Sequence, residues 1–258
     1  MIRRELTYFL TALMFLTRLP VPVDLEYSAE IMNRSQRYYS LVGSVVGICS
    51  ALIFYLANLV FSTEISVLLS MIGSIWLTGA FHEDGFTDVC DAFGGGYGKE
   101  KILQIMKDSR VGAYGVVGIC LLLLLKFKVL SELADISPSL IMAALVAGHT
   151  ASRFISSTMI YTHEYVQDTD KSKVRPVVER KPLLGELLFS GLWILLPFIL
   201  LGNYWFLLAL PVAYLAKSCL SYYFNKHIGG YTGDCLGAIQ QVSEVTIYLA
   251  LIALWKFF

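Results

Sequence analysis

The chain has 258 residues, of which 56% are hydrophobic and 16% charged, and its 20 basic and 20 acidic side chains give a formal net charge of zero. A mean hydropathy of +0.64, with charge well below the roughly 25% usual in soluble domains, excludes an ordinary soluble protein and indicates one integral membrane domain over residues 1–258. Zero net charge removes any bulk attraction to nucleic acid, so no nucleic-acid partner is expected.

In chain order, "YFLTALMFLTRLPVP" (8–22) comes first. It is apolar but too short to span, and no small-residue cleavage site follows. It reads as a short interfacial or re-entrant helix. A span needs about 20 apolar residues, and seven stretches approach that length: 41–61, 65–81, 111–130, 139–161, 186–202, 204–223 and 244–258. Several are near the short limit, so six is the alternative count. The expected fold class is therefore all-α: a polytopic transmembrane helical bundle.

Charge sorts the connecting segments. Segments 1–40, 82–110, 162–185 and 224–243 carry most of the Lys and Arg, whereas 62–64, 131–139 and 202–203 carry none. With seven spans all the basic segments fall on one side, which the positive-inside rule makes cytoplasmic. Lys126, Lys128 and Lys256 run against this trend, near the outer ends of their spans, where they would snorkel to the interface. The loop "TDKSKVRPVVERKP" (169–182) suits a basic surface facing anionic headgroups. The cysteines, Cys49, Cys90, Cys120, Cys219 and Cys235, show no CxxC or zinc spacing and read as reduced and structural.

Residues 80–94, "AFHEDGFTDVCDAFG", concentrate acids beside a span. Asp84, Asp88 and Asp91 are spaced i, i+4, i+7 and share a helix face. Like charges stacked in this way repel unless a cation lies against them. No Lys or Arg occurs between residues 82 and 98. The expectation is Mg²⁺, which takes one or two carboxylates plus phosphate oxygens. Glu83 points elsewhere, as an outer supporting or solvent-facing group. His82 either touches substrate or caps the span, and Gly85 would let a phosphate approach the backbone. "GGGYGKE" (94–100) is no Walker motif: it has Phe93 where the first glycine belongs and Glu100 where Ser or Thr belongs.

Farther along, Lys107, Asp108 and Arg110 lie at the mouth of the third span. Lys and Arg there are candidates for phosphate oxygens, or else an ordinary basic anchor. His149 and Arg153 share a face inside the fourth span, where an ionisable group is a functional hypothesis by default. Arg153 would reach phosphate or pair within the bundle, and His149 reads as a hydrogen-bonded structural histidine. In "GGYTGDCLGAIQQVSE" (229–244), Asp234, Gln241 and Glu244 share a face, and glycines including Gly233 thin the side chains around Asp234. That thinning suits either a phosphate or a close helix neighbour. Asp84, Asp88, Asp91, Asp234 and Glu244 are the catalytic candidates, with Asp84, Asp88, Asp91 and Asp234 for metal. His82, Gly85, Lys107, Asp108, Arg110, Arg153, Gly233 and Gln241 are the substrate-binding candidates. Metal-assisted phosphoryl transfer fits this set best.

"FLTRLPVP" (15–22), "GAFHEDGFTDVCDAFGGG" (79–96), "IMKDSRVGAYG" (105–115), "GHTASRF" (148–154) and "GGYTGDCLGAIQQVSE" together resemble the cobalamin synthase (adenosylcobinamide-GDP ribazoletransferase) family along nearly the whole chain. The resemblance implies a multi-pass enzyme of the bacterial inner membrane, active at the cytoplasmic face in the final nucleotide-loop assembly of cobalamin biosynthesis. It implies the substrates adenosylcobinamide-GDP and α-ribazole, or α-ribazole 5′-phosphate, with GMP released and Mg²⁺ as cofactor. Membrane lipid is the expected surroundings, and homo-oligomerisation is left open. The mechanism expected is attack by the ribose 5′-hydroxyl on the cobinamide phosphorus, with Asp91 or Asp234 taking the proton. The acidic motif is also similar to that of CDP-alcohol phosphotransferases, but lacks their Ala-Arg pair and closes their longer gap. A cation transporter is the remaining alternative, against which stands the clustering of acids at span ends.

Overall fold

The computed structural model describes residues 2–21, 25, 28–166 and 183–257. The basic loop at 169–182 lies outside them. The described residues form α1 (Ile2–Leu16), α2 (Ala29–Ser35), α3 (Tyr39–Asn58), α4 (Thr63–Thr78), α5 (Phe81–Gly95), α6 (Lys99–Met106), α7 (Ala113–Ile136), α8 (Pro138–Thr162), α9 (Leu184–Leu200), α10 (Ala209–Ile228) and α11 (Gly233–Phe257). The only β pairing among the described residues is one isolated bridge, Tyr165 with Tyr231. The all-α expectation holds.

Each of the seven expected spans corresponds to a helix, but apolarity qualifies fewer of them. Among the described residues, Ala29–Asn58, Ala113–Ile136, Tyr204–Ile228 and Gly233–Phe257 are long and apolar enough to cross a membrane; α4 and α5 add a fifth if taken together, and α9 is apolar but shorter. The central helix α8 is not among them. It packs on α3, α7, α9, α10 and α11, and from His149 to Arg153 it is buried throughout. A helix enclosed by other helices has no need of a lipid-facing surface, so its small and polar residues leave it less apolar than a lipid-facing span.

Small residues set the central packing. A Cβ on Gly43 or Gly47 of α3 would run into the α8 backbone at His149–Thr150 and Leu145–Val146. These two glycines, one turn apart, let α3 and α8 approach backbone to backbone, the usual device of membrane helix pairs. At the other end of α8, Ser137 caps the helix by accepting the Ser139 amide, and Pro138 occupies its first turn. The short helix α1 exposes Leu6 and Met14 and carries Arg3 and Arg4 near its start, which suits the expected interfacial position.

The cysteines are all unpaired. Lys126 departs from expectation. It does not snorkel to an interface: it is 1% exposed, inside the bundle, and held there by a carboxylate described below.

Candidate active site

The acidic helix is aimed by a sharp elbow. α4 ends at Gly79, with φ +68°, and Ala80 follows in the same left-handed region at +57°. For a residue with a Cβ that conformation costs about 1–2 kcal/mol, so neighbours must hold it. The Arg18 amide donates to the Leu77 carbonyl at 2.8 Å, and the Arg18 guanidinium lies against Gly79. Arg18 of the "FLTRLPVP" motif thus braces the elbow. Beyond it α5 turns 89° from α4 and runs across the end of the bundle.

There α5 meets the start of α11 at very short range. A Cβ on Gly85 would lie 3.0 Å from both the Cα and the carbonyl oxygen of Asp234. A Cβ on Gly237 would lie 3.1 Å from the His82 carbonyl. One glycine from each helix therefore permits the crossing. Gly85 accommodates a helix backbone where the sequence suggested a phosphate; of the two uses proposed for the glycines near Asp234, the close helix neighbour is the one observed.

This crossing gathers Asp84, Asp88 and Asp234. Asp84 is exposed, while Asp88 and Asp234 are half-buried. Burial, and then the negative charges of Asp234, Asp84 and Asp91, push the Asp88 carboxyl up to about 7. Among the described residues, no group of three or more His, Cys, Asp or Glu is drawn together tightly enough to hold a metal by itself. Mg²⁺ does not ask for such a cage: it suits one or two carboxylates completed by phosphate and water oxygens. Repelling carboxylates from two helices, open on one side, fit that partial coordination.

Asp91 is engaged differently. Its Oδ2 accepts the Gly112 amide and its Oδ1 the Gly115 amide, both at 2.7 Å. It caps the N-terminus of α7 from a neighbouring helix, where a carboxylate also meets the positive end of the helix dipole. Gly112 and Gly115 are required because a Cβ on either would collide with this carboxylate. The three-aspartate face of the sequence thus divides into an open pair and a helix cap.

Glu244 is also removed from the open cluster. Wholly buried, its Oε1 receives Lys126 Nζ at 2.5 Å and the Tyr248 hydroxyl at 3.2 Å. Its Oε2 receives Gln240 Nε2 at 2.7 Å and faces His149 Nδ1 at 3.1 Å. Four partners satisfy both oxygens, so Glu244 serves as a charge centre joining α7, α8 and α11. His149 has the structural role expected of it. Arg153 lies beside this centre, its guanidinium donating to the His149 carbonyl at 3.0 Å, while its Nε has no partner among the described residues. Glu83, expected to be an outer or solvent-facing group, is buried. It accepts the Gln241 side-chain amide at 2.9 Å, locking α5 to α11 beside the open acids. Arg110 is exposed and forked onto Asp108 at 2.6 Å, holding that carboxyl down to about 2; Lys107 is exposed. Gly233 and His82 line a cleft with Arg153.

Sequence reasoning missed Lys126 and Tyr248 as partners of Glu244. A lysine within the apolar run "CLLLLLKFKVL" (120–130) was the available signal, because a charge inside a bundle calls for a counter-charge.

Known proteins match this sequence along nearly its whole length. Residues 8–252 match the family described as cobalamin-5-phosphate synthase. The chain is 47% identical to the adenosylcobinamide-GDP ribazoletransferase of Shewanella amazonensis, over 98% of this chain and 98% of that one. It is 45% identical to the transferase of the same name from Shewanella frigidimarina, over 97% and 95%. The corresponding figures for Vibrio parahaemolyticus are 42%, over 99% and 95%. No solved structure matches. On its sequence and on the extent of these matches, the chain belongs to the cobalamin-5-phosphate synthase family.

Proposed function

We propose that this protein is an adenosylcobinamide-GDP ribazoletransferase, joining the cobinamide phosphate of adenosylcobinamide-GDP to α-ribazole 5′-phosphate or α-ribazole and releasing GMP. The observation that carries the reading is the crossing of α5 on α11 at Gly85 and Asp234, which brings the two acidic motifs to one end of a membrane bundle in a chain matched along its length to transferases of that name.

In the reaction a ribose hydroxyl of the acceptor attacks the phosphorus bonded to cobinamide. The new P–O bond forms as the bond to GMP breaks, and the hydroxyl proton passes to a carboxylate. The family description names a product that keeps a 5-phosphate. An acceptor already phosphorylated there has no free 5′-hydroxyl, so the nucleophile is a secondary ribose hydroxyl, in place of the 5′-hydroxyl expected from the sequence. Asp234 is favoured over Asp91 as the proton acceptor, because both Asp91 oxygens are occupied by backbone amides. Asp84, Asp88 and Asp234 would hold Mg²⁺, which when bound neutralises diphosphate charge and stabilises the leaving phosphate. Lys107 is free to approach the guanosine phosphates, whereas Arg110 must first release Asp108. Tyr97 and Tyr114, 92% and 60% exposed, offer apolar surface to the corrinoid.

The basic residues that follow the acidic helix, Lys99, Lys101, Lys107 and Arg110, support a cytoplasmic orientation in the inner membrane of a bacterium. The test is reconstitution. Purified protein in liposomes, given the two substrates and Mg²⁺, should release GMP and form the cobalamin product in equal amounts. Release of CMP from a CDP-alcohol, or metal uptake without nucleotide, in place of that product would overturn the assignment.

A further inference from the structure

Beside the open acids lies a second feature that phosphoryl transfer does not use. A cleft between α1, α3, α5, α8 and α11 is walled by Phe15, Tyr39, Phe81 and Ile160 and floored by Arg153 and Gln240, with Gly233 at its rim. Its walls are an aromatic set. Phe15 stacks on Tyr39 with ring centroids 6.0 Å apart, and meets Phe81 edge-on at 5.4 Å. Its floor holds an unsatisfied donor. Arg153 is 3% exposed, yet its Nε has no partner among the described residues. A buried guanidinium N–H left without an acceptor is costly, which points to a group that fills the cleft and accepts from it.

Charge decides what kind of group. The positive charges of Lys126 and Arg153 are matched by Glu244 and Glu83, both of which act on Arg153. No net positive charge remains to attract a phosphate, against the phosphate-binding role given to Arg153 from sequence. A flat aromatic ring with an acceptor nitrogen meets all three conditions: apolar walls for its faces, a neutral chamber, and a lone pair for Arg153. Gly233 at the rim is the neighbour of Asp234, so a ring seated in the cleft has its sugar directed towards the open carboxylates.

Building on the proposed function, we propose that this cleft is the subsite for the benzimidazole base of the nucleoside acceptor, with Arg153 positioning its ring nitrogen. The cleft then selects the acceptor and takes no part in binding the GDP-activated donor.

The test separates the two substrates kinetically. Phe81→Ala removes a wall and Ser157→Leu fills the cleft, which Ser157 also lines. Stacking of this kind is worth on the order of tenfold in binding or more. Each variant should therefore raise the KM for α-ribazole by about tenfold and leave the KM for the donor within about twofold. Independently of any variant, free benzimidazole should inhibit the unaltered protein competitively against α-ribazole and not against the donor. Equal rises in both KM values, or benzimidazole competing with the donor, would overturn the assignment. So would unchanged acceptor KM in a folded variant, or no inhibition up to the solubility limit. If the unaltered protein formed no product from the two substrates, the proposed function itself would fail; product formation with unaltered acceptor KM in the variants would remove only the subsite.

Discussion

Replacing Lys126 by Met tests whether Glu244 is a structural charge centre or a reacting group. The substitution keeps side-chain length but removes the counter-charge 2.5 Å from Glu244 Oε1. Glu244, 0% exposed, keeps Gln240, Tyr248 and His149, but its negative charge loses its full positive partner. Breaking a buried pair from one side costs about 3–5 kcal/mol. At roughly 2–4 °C per kcal/mol for a chain of this size, melting in detergent should fall by about 6–20 °C. Adding Glu244→Gln removes the stranded charge, so the double variant should recover more than half of the loss, a coupling that neighbouring residues show and distant ones do not. Transfer activity per folded molecule should change little in the double variant. If Glu244→Gln melted at the wild-type temperature but formed no product, the structural reading would be refuted and Glu244 would belong to the chemistry.

Other outcomes follow from the same geometry. Asp91→Ala uncaps α7 and should lower stability by about 1–2 kcal/mol, read as a lower melting temperature, with the Mg²⁺ concentration for half-maximal activity unchanged. Gly85→Ala places a Cβ 3.0 Å from the Asp234 backbone, forcing α5 and α11 apart by a few tenths of an ångström; kcat should drop by about tenfold through misplacement of the acids, with little change in either KM. The Asp88 carboxyl, pushed up to about 7, binds a proton more tightly folded than unfolded. In metal-free protein stability should therefore fall as pH rises from about 4 to 7, and calorimetry across that window checks the sign. A proton competes with a divalent cation for Asp88, so the Mg²⁺ requirement of the reaction should increase as pH falls below about 7.

Much of the architecture was legible in apolar runs. Helices α3, α4, α7, α8, α9, α10 and α11 lie where the seven stretches were placed, because length and hydropathy report what must leave water. Charge bias puts the two acidic motifs on one face of the membrane, but their side-by-side position comes from the close crossing of α5 on α11. The division of labour among the acids was not legible. Helical spacing put Asp91 on the face of Asp84 and Asp88, but spacing carries no information about α7, whose first amides claim it. Lys126 and Glu244 are far apart in sequence and meet only because α7 and α11 pack together. The 89° elbow was also hidden: Gly79 marks a helix end, but the left-handed Ala80 after it is set by contacts from the N-terminal segment.

The central claim is that Asp84, Asp88 and Asp234 together hold the divalent cation used in transfer. It is tested most directly by titrating Mg²⁺ in the reconstituted reaction with wild-type protein and with Asp84→Asn, Asp88→Asn and Asp234→Asn, each checked for an unchanged melting temperature. Each substitution should raise the Mg²⁺ requirement and lower the maximal rate by about a hundredfold or more. Wild-type rates at limiting Mg²⁺ in these folded variants would contradict the claim.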